Sequence, residues 1–359
     1  MPSFRFNKSQ IKGVVFEEFV LRLLAKAGYR IIEDSNSAYD IRNGHNGLQL
    51  QGRGEWHQTD ALVAYDHTPA FIYPIRLIVE AKAYSLSFNN KGKIGINVVR
   101  NAVGVLKDVN ENYFAHIGHD DDDSYKLKRF NYAYAVFSLN GFTENAQRYA
   151  LAHQIFLIQY HYSTLFEAVR YIFQEYDKTD IKYEYDQSDI KSLRLEDNLT
   201  AFRRRIRDYF ATENDDGGGD YIHLYPEVIR RLLTQLKKEL STIRGSYFGL
   251  LNGEYPIHLL SMRDIGDVDD EIYVQVHLEE PGLVRLELNG IASLFFELPE
   301  YVARIFQSVW NDRGKLANEK SRYIKYISLT GRFAKKQRNI ILKLDKDWLS
   351  QYISMLRNG

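Results

Sequence analysis

The first clear pattern in the chain is a stripe of apolar residues with helical spacing. In residues 12–29, KGVVFEEFVLRLLAKAGY, apolar side chains recur every three or four positions from Phe16 to Ala27. This spacing predicts an amphipathic helix. Gly28 follows the last apolar position, where glycine commonly ends a helix, and Glu17 lies beside the stripe.

Apolar runs of another kind predict strands in the first half of the chain. Residues 59–65 are predicted as a strand, residues 66–69 as a turn, and residues 75–82 as a second strand, whose unbroken apolar run is typical of a sheet covered on both faces. The elements predicted next are helix 95–113, strand 132–138, helix 142–153 and strand 155–159. This order predicts an α/β fold with a mixed sheet.

The second half contains helical periods, one linker and one hairpin. Helices are predicted at residues 165–176, 193–209, 226–245, 299–311 and 346–356. Residues 213–220, ENDDGGGD, are predicted as a linker because they combine charge with three successive glycines. Glu280-Pro281-Gly282 predicts a hairpin turn. We therefore expect an N-terminal domain over residues 1–162, a helical connector and linker over 163–219, and an accessory α/β domain over 220–359.

Composition limits the classes of protein that the chain can belong to. Of 359 residues, 45% are hydrophobic and 14% aromatic, enough for a large core. The absence of cysteine excludes disulfides, thiolate metal sites and a cysteine nucleophile, and it fits a reducing compartment. The N-terminal segment MPSFRFNKSQIKG lacks an apolar signal, and no long apolar run follows. We therefore expect a cytoplasmic protein that does not associate with membranes.

Charge is balanced overall but segregated along the chain. The sequence has 47 basic and 47 acidic residues, yet residues 264–300 contain ten Asp or Glu against one Arg, and residues 320–343 contain eight Lys or Arg and no acid. The basic run, interleaved with aromatic residues, suits a polyanion partner. Alternatively, it pairs with the acidic run, within the chain or across a dimer. The side chains assigned to nucleic-acid contact are Lys320, Arg322, Lys325, Arg332, Lys335, Lys336 and Arg338.

The strand RLIVEAK, residues 76–82, ends in a carboxylate and an ammonium two residues apart. Side chains alternate between the faces of a strand, so Glu80 and Lys82 project from one side and Ala81 from the other. An antiparallel neighbour would bring Asp60 close to Glu80. Two converging carboxylates suit Mg²⁺, and a lysine beside them can assist an attacking water. The simpler alternative is a surface ion pair, which contributes little to stability.

These residues, in this order, resemble the PD-(D/E)xK nuclease superfamily and, more narrowly, its Mrr-like restriction endonuclease branch. The family pattern is a helix bearing Glu, a strand bearing Asp, a strand ending in (D/E)-x-K, and then a helix followed by a strand, a helix and a strand. The chain has GVVFEEFVLRLLAKAGY, HQTDAL, VEAK and NYAYAVFSLNGFTENAQRYALAHQIFLI, so the resemblance covers residues 10–162. Thr59 stands where the family name has Pro, and many Mrr-like members carry Gln at the position of Glu80.

The resemblance implies a fold and a set of roles. The fold would be a restriction-endonuclease-like mixed sheet flanked by helices. Asp60 and Glu80 would bind Mg²⁺, or Mn²⁺ as a substitute, together with the backbone carbonyl of Ala81. Lys82 would serve the attacking water, and Glu17 would be an auxiliary acid.

The activity implied is a metal-dependent endonuclease that hydrolyses DNA, in restriction or antiviral defence. RNA as substrate, or a catalytically inactive nucleic-acid-binding scaffold with the same fold, are the alternatives. Cutting a duplex would favour a homodimer or two sequential nicks. The chain has no G-x-x-x-x-G-K-[ST] motif, so ATP-driven translocation would need a separate ATPase or sensor subunit.

Two further groups of polar residues are candidates. Arg53, His57 and Gln58 lie shortly before Asp60 and could contact phosphate or a base, although a loop histidine is more often only solvated. His116 and His119, beside the acidic residues 120–123, suggest a metal site. We interpret this second group as an exposed acidic loop, because no regular element is predicted to hold it rigid.

Overall fold

The computed structural model describes residues 7–33, 40–44, 47–85, 92–112, 130–161, 164–179, 199–212, 222–223, 225–288 and 290–357. The predicted linker at 213–220 and the histidine and acidic loop at 116–123 lie outside these residues. None of the helices in the described ranges is long and apolar enough to cross a membrane.

Helix α1, Lys8–Lys26, is the central element of the N-terminal half. Asn7 and Gln10 cap its start reciprocally. It ends at Lys26, and Gly28 follows the C-cap residue Ala27, as predicted, with a φ of +98° that favours glycine. The helix is buried on almost every side, including the faces that carry Glu17 and Glu18. Both acids are therefore buried at the centre of the fold.

A five-stranded mixed sheet packs against α1. Its strands are β1 (Arg30–Ile31), β5 (Ala61–Tyr65), β6 (Ile75–Lys82), β7 (Asn131–Ser138) and β8 (Phe156–Gln159), in the order β1-β5-β6-β7-β8. Strands β1, β5 and β6 pair antiparallel, and β6, β7 and β8 pair parallel. One face lies on α1, and the other is covered by α2 (Ile96–Asn110) and α3 (Glu144–Ala152). The predicted mixed α/β architecture is confirmed at this level.

A small sheet occupies residues 41–58, where no strand was predicted. It consists of β2 (Ile41–Gly44), β3 (Gly47–Gln51) and β4 (Trp56–Gln58), all paired antiparallel. Asp60, which we predicted within a strand, lies between the end of β4 and the start of β5.

Three helices from the middle of the chain complete the first core. They are α4 (Glu167–Lys178), α5 (Leu199–Ala211) and α6 (Glu227–Thr242). Their apolar faces pack with α1 and one face of the sheet in a single cluster. Pro226 precedes α6 as predicted, but Gly245, which we predicted to end this helix, begins a strand.

The remaining strands close into a seven-stranded barrel with its own core. They are β9 (Gly245–Leu251), β10 (Tyr255–Ser261), β11 (Glu271–Glu280), β12 (Leu283–Leu288), β13 (Ala292–Glu297), β14 (Tyr326–Phe333) and β15 (Lys336–Leu344). The turn at Pro281-Gly282 joins β11 to β12, as predicted. The barrel is accompanied by helices α7 (Glu300–Ser308), α8 (Arg313–Tyr323) and α9 (Lys346–Arg357). We predicted an α/β unit here, and the structure has a β-barrel with helices.

Candidate active site

The ends of two neighbouring strands bring Asp60, Glu80 and Lys82 together. Asp60 immediately precedes β5, whose Ala61 lies opposite Val79 of antiparallel β6. Lys82 Nζ is 3.0 Å from Asp60 Oδ2 and 3.1 Å from Glu80 Oε1. Ala81 packs into the core on the other face of the sheet. One ammonium group therefore contacts both carboxylates on one side of the strand.

These three side chains are partly shielded from water. The exposed fraction is 26% for Lys82, 24% for Asp60 and 13% for Glu80. Burial alone would lower the pKa of Lys82, but the carboxylates of Asp60 and Glu80 raise it above its ordinary value. Lys82 is therefore a cation at neutral pH, and all three side chains keep some contact with solvent.

Tyr134 holds Glu80 from the neighbouring parallel strand. Its hydroxyl donates to Glu80 Oε2 at 2.7 Å. Burial, followed by the charge of Glu80, raises the pKa of Tyr134 well above its ordinary value, so the hydroxyl keeps its proton. One Glu80 oxygen is thereby fixed by Tyr134, and the other faces Lys82.

Glu17 approaches the cluster from α1 and meets Arg203 of α5. Arg203 Nη1 lies 2.6 Å from Glu17 Oε2, as an ion pair, and donates to the backbone oxygen of Asp60 at 2.8 Å. Burial raises the pKa of Glu17 to about 8, the negative charge of Asp60 adds to this rise, and the charge of Arg203 opposes it. Glu17 therefore takes up a proton more readily than an exposed glutamate does.

The carboxylate oxygens of Asp60 and Glu80 fit a Mg²⁺ ion that has two protein ligands and keeps several water ligands. Among the described residues, no group of three or more His, Cys, Asp or Glu side chains is arranged to hold a metal ion. Mg²⁺, however, is commonly bound by only one or two carboxylates. Asp60 and Glu80 supply two, at a point where a cation, the Lys82 ammonium, is already bound. A metal there would compete with Lys82 for these oxygens, and the part predicted for the Ala81 carbonyl stays a prediction.

Two of the three residues predicted to contact nucleic acid just before Asp60 pair with acids at the end of α2. His57 Nε2 lies 2.7 Å from Asp108 Oδ2, and Arg53 lies 3.7 Å from Glu111. The hydrogen bond from His57 lowers the pKa of the Asp108 carboxyl. Gln58 is exposed on β4. One His57 nitrogen is thus engaged within the protein, whereas Arg53 and Gln58 remain at the surface.

The predicted basic run divides into buried, paired and exposed members. Lys320 is buried and donates to the backbone oxygen of Val276 at 2.8 Å, and burial lowers its pKa to about 8. Its ammonium is therefore not presented to a nucleic acid. Arg338 pairs with Asp267 at 2.8 Å and Asp270 at 2.5 Å, which is the alternative pairing with the acidic run. The exposed members are Arg322, Lys325, Arg332, Lys335 and Lys336.

The basic hairpin β14–β15 does not adjoin the carboxylate cluster. It meets the sheet where the Tyr65 hydroxyl donates to Asn339 Oδ1 at 2.7 Å. Tyr65 is the last residue of β5, whereas Asp60 precedes the first. The carboxylate cluster and the basic hairpin therefore lie toward opposite ends of β5.

Sequence reasoning missed Arg203 and Tyr134. The run of arginines at residues 203–207 was a visible signal, because a helix this basic invites a search for acidic partners. A cavity of about 660 Å³ lies elsewhere, between α3 and β8 on one side and β9 and β10 on the other, and its lining includes none of the predicted site residues.

Comparison with known proteins adds little to this geometry. No protein-family model matches the chain, and no match to it is found among curated proteins. Among solved structures, it is similar to the crystal structure of a protein of unknown function, AF1548, with 15% identity and a TM-score of 0.34 over 63% of this chain and 98% of that one. A similarity at this level carries no argument about fold or function.

Proposed function

We propose that this protein is a magnesium-dependent endonuclease that hydrolyses DNA phosphodiester bonds at Asp60, Glu80 and Lys82. The observation that carries the proposal is the contact of both carboxylates with one lysine at adjoining strand ends. The order of elements supports it, because α1, the antiparallel pair β5–β6 and parallel strands β7 and β8 come in an order that resembles the family pattern given above. A role in restriction or antiviral defence follows from the resemblance alone.

Each side chain of the site would have its own role. Asp60 and Glu80 would hold Mg²⁺, which supplies Lewis acidity and a nucleophilic water when bound. Lys82 orients that water or stabilises negative charge developing on the phosphate oxygens. Tyr134 fixes the orientation of Glu80. Glu17, whose pKa is raised by burial and by the charge of Asp60, can exchange a proton beside Asp60.

One observation favours the catalytically inactive alternative. The Lys82 ammonium already contacts both carboxylates, as it would in a purely structural ion cluster. A scaffold with the same fold would bind nucleic acid in a salt-sensitive way without turnover. Binding and cleavage must therefore be measured together.

The test offers plasmid DNA, duplex and single-stranded DNA, and RNA of matched sequence to the purified protein with Mg²⁺, Mn²⁺ or EDTA. We expect metal-dependent cleavage of DNA, lost in Asp60→Asn. The matched control is Asp267→Asn, which removes an exposed acid of the barrel and should leave cleavage intact. Cleavage that survives in Asp60→Asn would disprove the site, cleavage of RNA alone would reassign the substrate, and binding without cleavage would support the scaffold.

A further inference from the structure

We propose that Arg203 is a positioning residue that fixes the main chain of Asp60 and holds it beside Glu17. This inference rests on the function proposed above. Its geometric basis is one nitrogen atom with two partners: Nη1 lies 2.6 Å from Glu17 Oε2 and 2.8 Å from the backbone oxygen of Asp60. The contact therefore joins α5, α1 and the start of β5.

The position of Asp60 explains why such a contact is needed. The β5–β6 ladder begins at Ala61, so Asp60 lies just outside it. The preceding residue, Thr59, bonds to β3 through its amide, which donates to Leu48 at 3.0 Å. A backbone carbonyl withdrawn from water needs a partner, and Arg203 provides one for Asp60. The guanidinium thus holds the residue whose carboxylate must face the metal.

Charge gives Arg203 a second effect. The cluster contains three acids, Glu17, Asp60 and Glu80, and the Lys82 ammonium contacts two of them. Arg203 meets the third, Glu17, from α5. Its positive charge reduces the repulsion between Glu17 and Asp60, which is the second largest influence on the Glu17 carboxyl after burial. Loss of Arg203 would let Asp60 move away from Glu17 and out of register with Glu80.

Arg207, one turn later on α5, provides a matched control for the loss of a buried arginine. Its guanidinium binds Glu18 of α1 through two hydrogen bonds of 2.8 Å and lies 3.3 Å from Glu33. The two arginines therefore make similar partly buried ion pairs between the same two helices. Only Arg203 has a partner in the proposed site.

The experiment compares Arg203→Gln, Arg203→Lys and Arg207→Gln in the full chain. Mn²⁺ affinity is measured by calorimetry, kcat and KM on DNA with Mg²⁺, and amide hydrogen exchange at the start of β5. We expect Arg203→Gln to bind Mn²⁺ about 10-fold more weakly, with lower kcat and faster exchange at Ala61, in line with the loss of other residues that orient metal ligands. Arg203→Lys should recover part of each property. Arg207→Gln should lose thermal stability alone.

Each outcome distinguishes this inference from the function proposed above. Wild-type affinity, kcat and exchange in folded Arg203→Gln would overturn the positioning role, as would equal changes in Arg207→Gln. If the wild type neither binds Mn²⁺ nor cleaves, the proposed function fails, and exchange at Ala61 still decides whether Arg203 holds this backbone. If Arg203→Gln does not fold, the double variant Glu17→Gln/Arg203→Met removes both buried charges together. It should still exchange faster at Ala61, and unchanged exchange there would overturn the inference.

Discussion

Lys82 and Lys320 are both withdrawn from solvent, but Lys82 contacts two acids, whereas Lys320 contacts a backbone carbonyl and the ring of Trp348. Lys82 contacts Asp60 and Glu80 at the end of the sheet, and these charges raise its pKa against the effect of burial. Lys320 donates to the Val276 carbonyl in the barrel unit, and burial lowers its pKa to about 8. An ion cluster of the first kind adds little net stability, because desolvation offsets much of the attraction. Stability alone therefore does not explain it. Packing against Trp348 and the hydrogen bond to Val276 account for the position of Lys320.

Charges on the barrel surface pair in small groups, as in Arg338 with Asp267 and Arg285 with Glu279. The sheet instead gathers charges from two strand ends and two helices around one point. Convergence across elements, more than the number of charges, therefore distinguishes the candidate site.

The largest expected effect separates the two lysines by activity. Lys82→Met should lower the rate of metal-dependent cleavage on the order of 10³-fold, about 4 kcal/mol of transition-state stabilisation, because no other cation contacts both Asp60 and Glu80 among the described residues. Lys320→Met should cleave at the wild-type rate. Steady-state rates on plasmid DNA measure both.

A thermal measurement completes this test. Since the ammonium and a metal compete for the same oxygens, Mn²⁺ should raise the Tm of Lys82→Met more than that of the wild type. A Lys82→Met protein that cleaves normally, or that gains no additional Mn²⁺ stabilisation, would contradict the assigned site.

The next effect separates the lysines by the pH dependence of stability. The pKa of Lys320 is about 8 in the folded protein, against an ordinary value of 10.5. Between these two pH values the unfolded chain binds more protons than the folded protein, so the free energy of unfolding should rise with pH. Below pH 8 Lys320 is charged in both states, and the full cost of burying that charge lowers stability. The rise amounts to about 3 kcal/mol at most.

Urea unfolding at several pH values between 7 and 11 measures this rise. Lys320→Met should lose it, and the control Lys336→Met, at an exposed position, should keep it. Equal pH profiles for the wild type and Lys320→Met would show that Lys320 stays charged in the folded state.

A smaller effect tests the support of Glu80. Tyr134→Phe removes the hydroxyl that donates to Glu80 and should weaken Mn²⁺ binding about 10-fold, or about 1.4 kcal/mol. Tyr132→Phe is the matched control, because Tyr132 lies on the same strand and bonds to Asp40 and Arg76 instead. Calorimetric titration distinguishes the two, and equal affinities in both variants would remove Tyr134 from the site.

Much of the sheet could be predicted because its elements have distinct local patterns. The helical stripe around Phe16, Gly28 at its end, and the unbroken run at residues 75–82 each determine a local structure. The closed barrel could not be predicted in this way. Its closure depends on pairings between distant segments, such as parallel strands β11 and β15, and alternation within a strand does not identify its partner.

The candidate site shows the same limit. Glu80 and Lys82 are two residues apart, so the alternation of a strand places them on one side. Asp60 required an antiparallel neighbour, which the apolar runs on both sides of a turn predicted. Arg203 lies 143 residues from Asp60 along the chain, and no periodic pattern connects them. Residues that support the site from other helices were therefore missed.

The smallest effect concerns the basic hairpin and its exposed lysines. If this surface contacts DNA, Lys336→Ala should reduce the slope of log affinity against log salt by about 1. The double variant Arg338→Gln/Asp267→Asn keeps the net charge and removes an ion pair that is already neutralised within the chain, so it should leave the slope unchanged. Fluorescence anisotropy with one duplex at several salt concentrations measures both. Unchanged slopes in both variants would mean that the exposed lysine, like its paired neighbour, contributes nothing to binding, and DNA would then have to be held by the sheet alone.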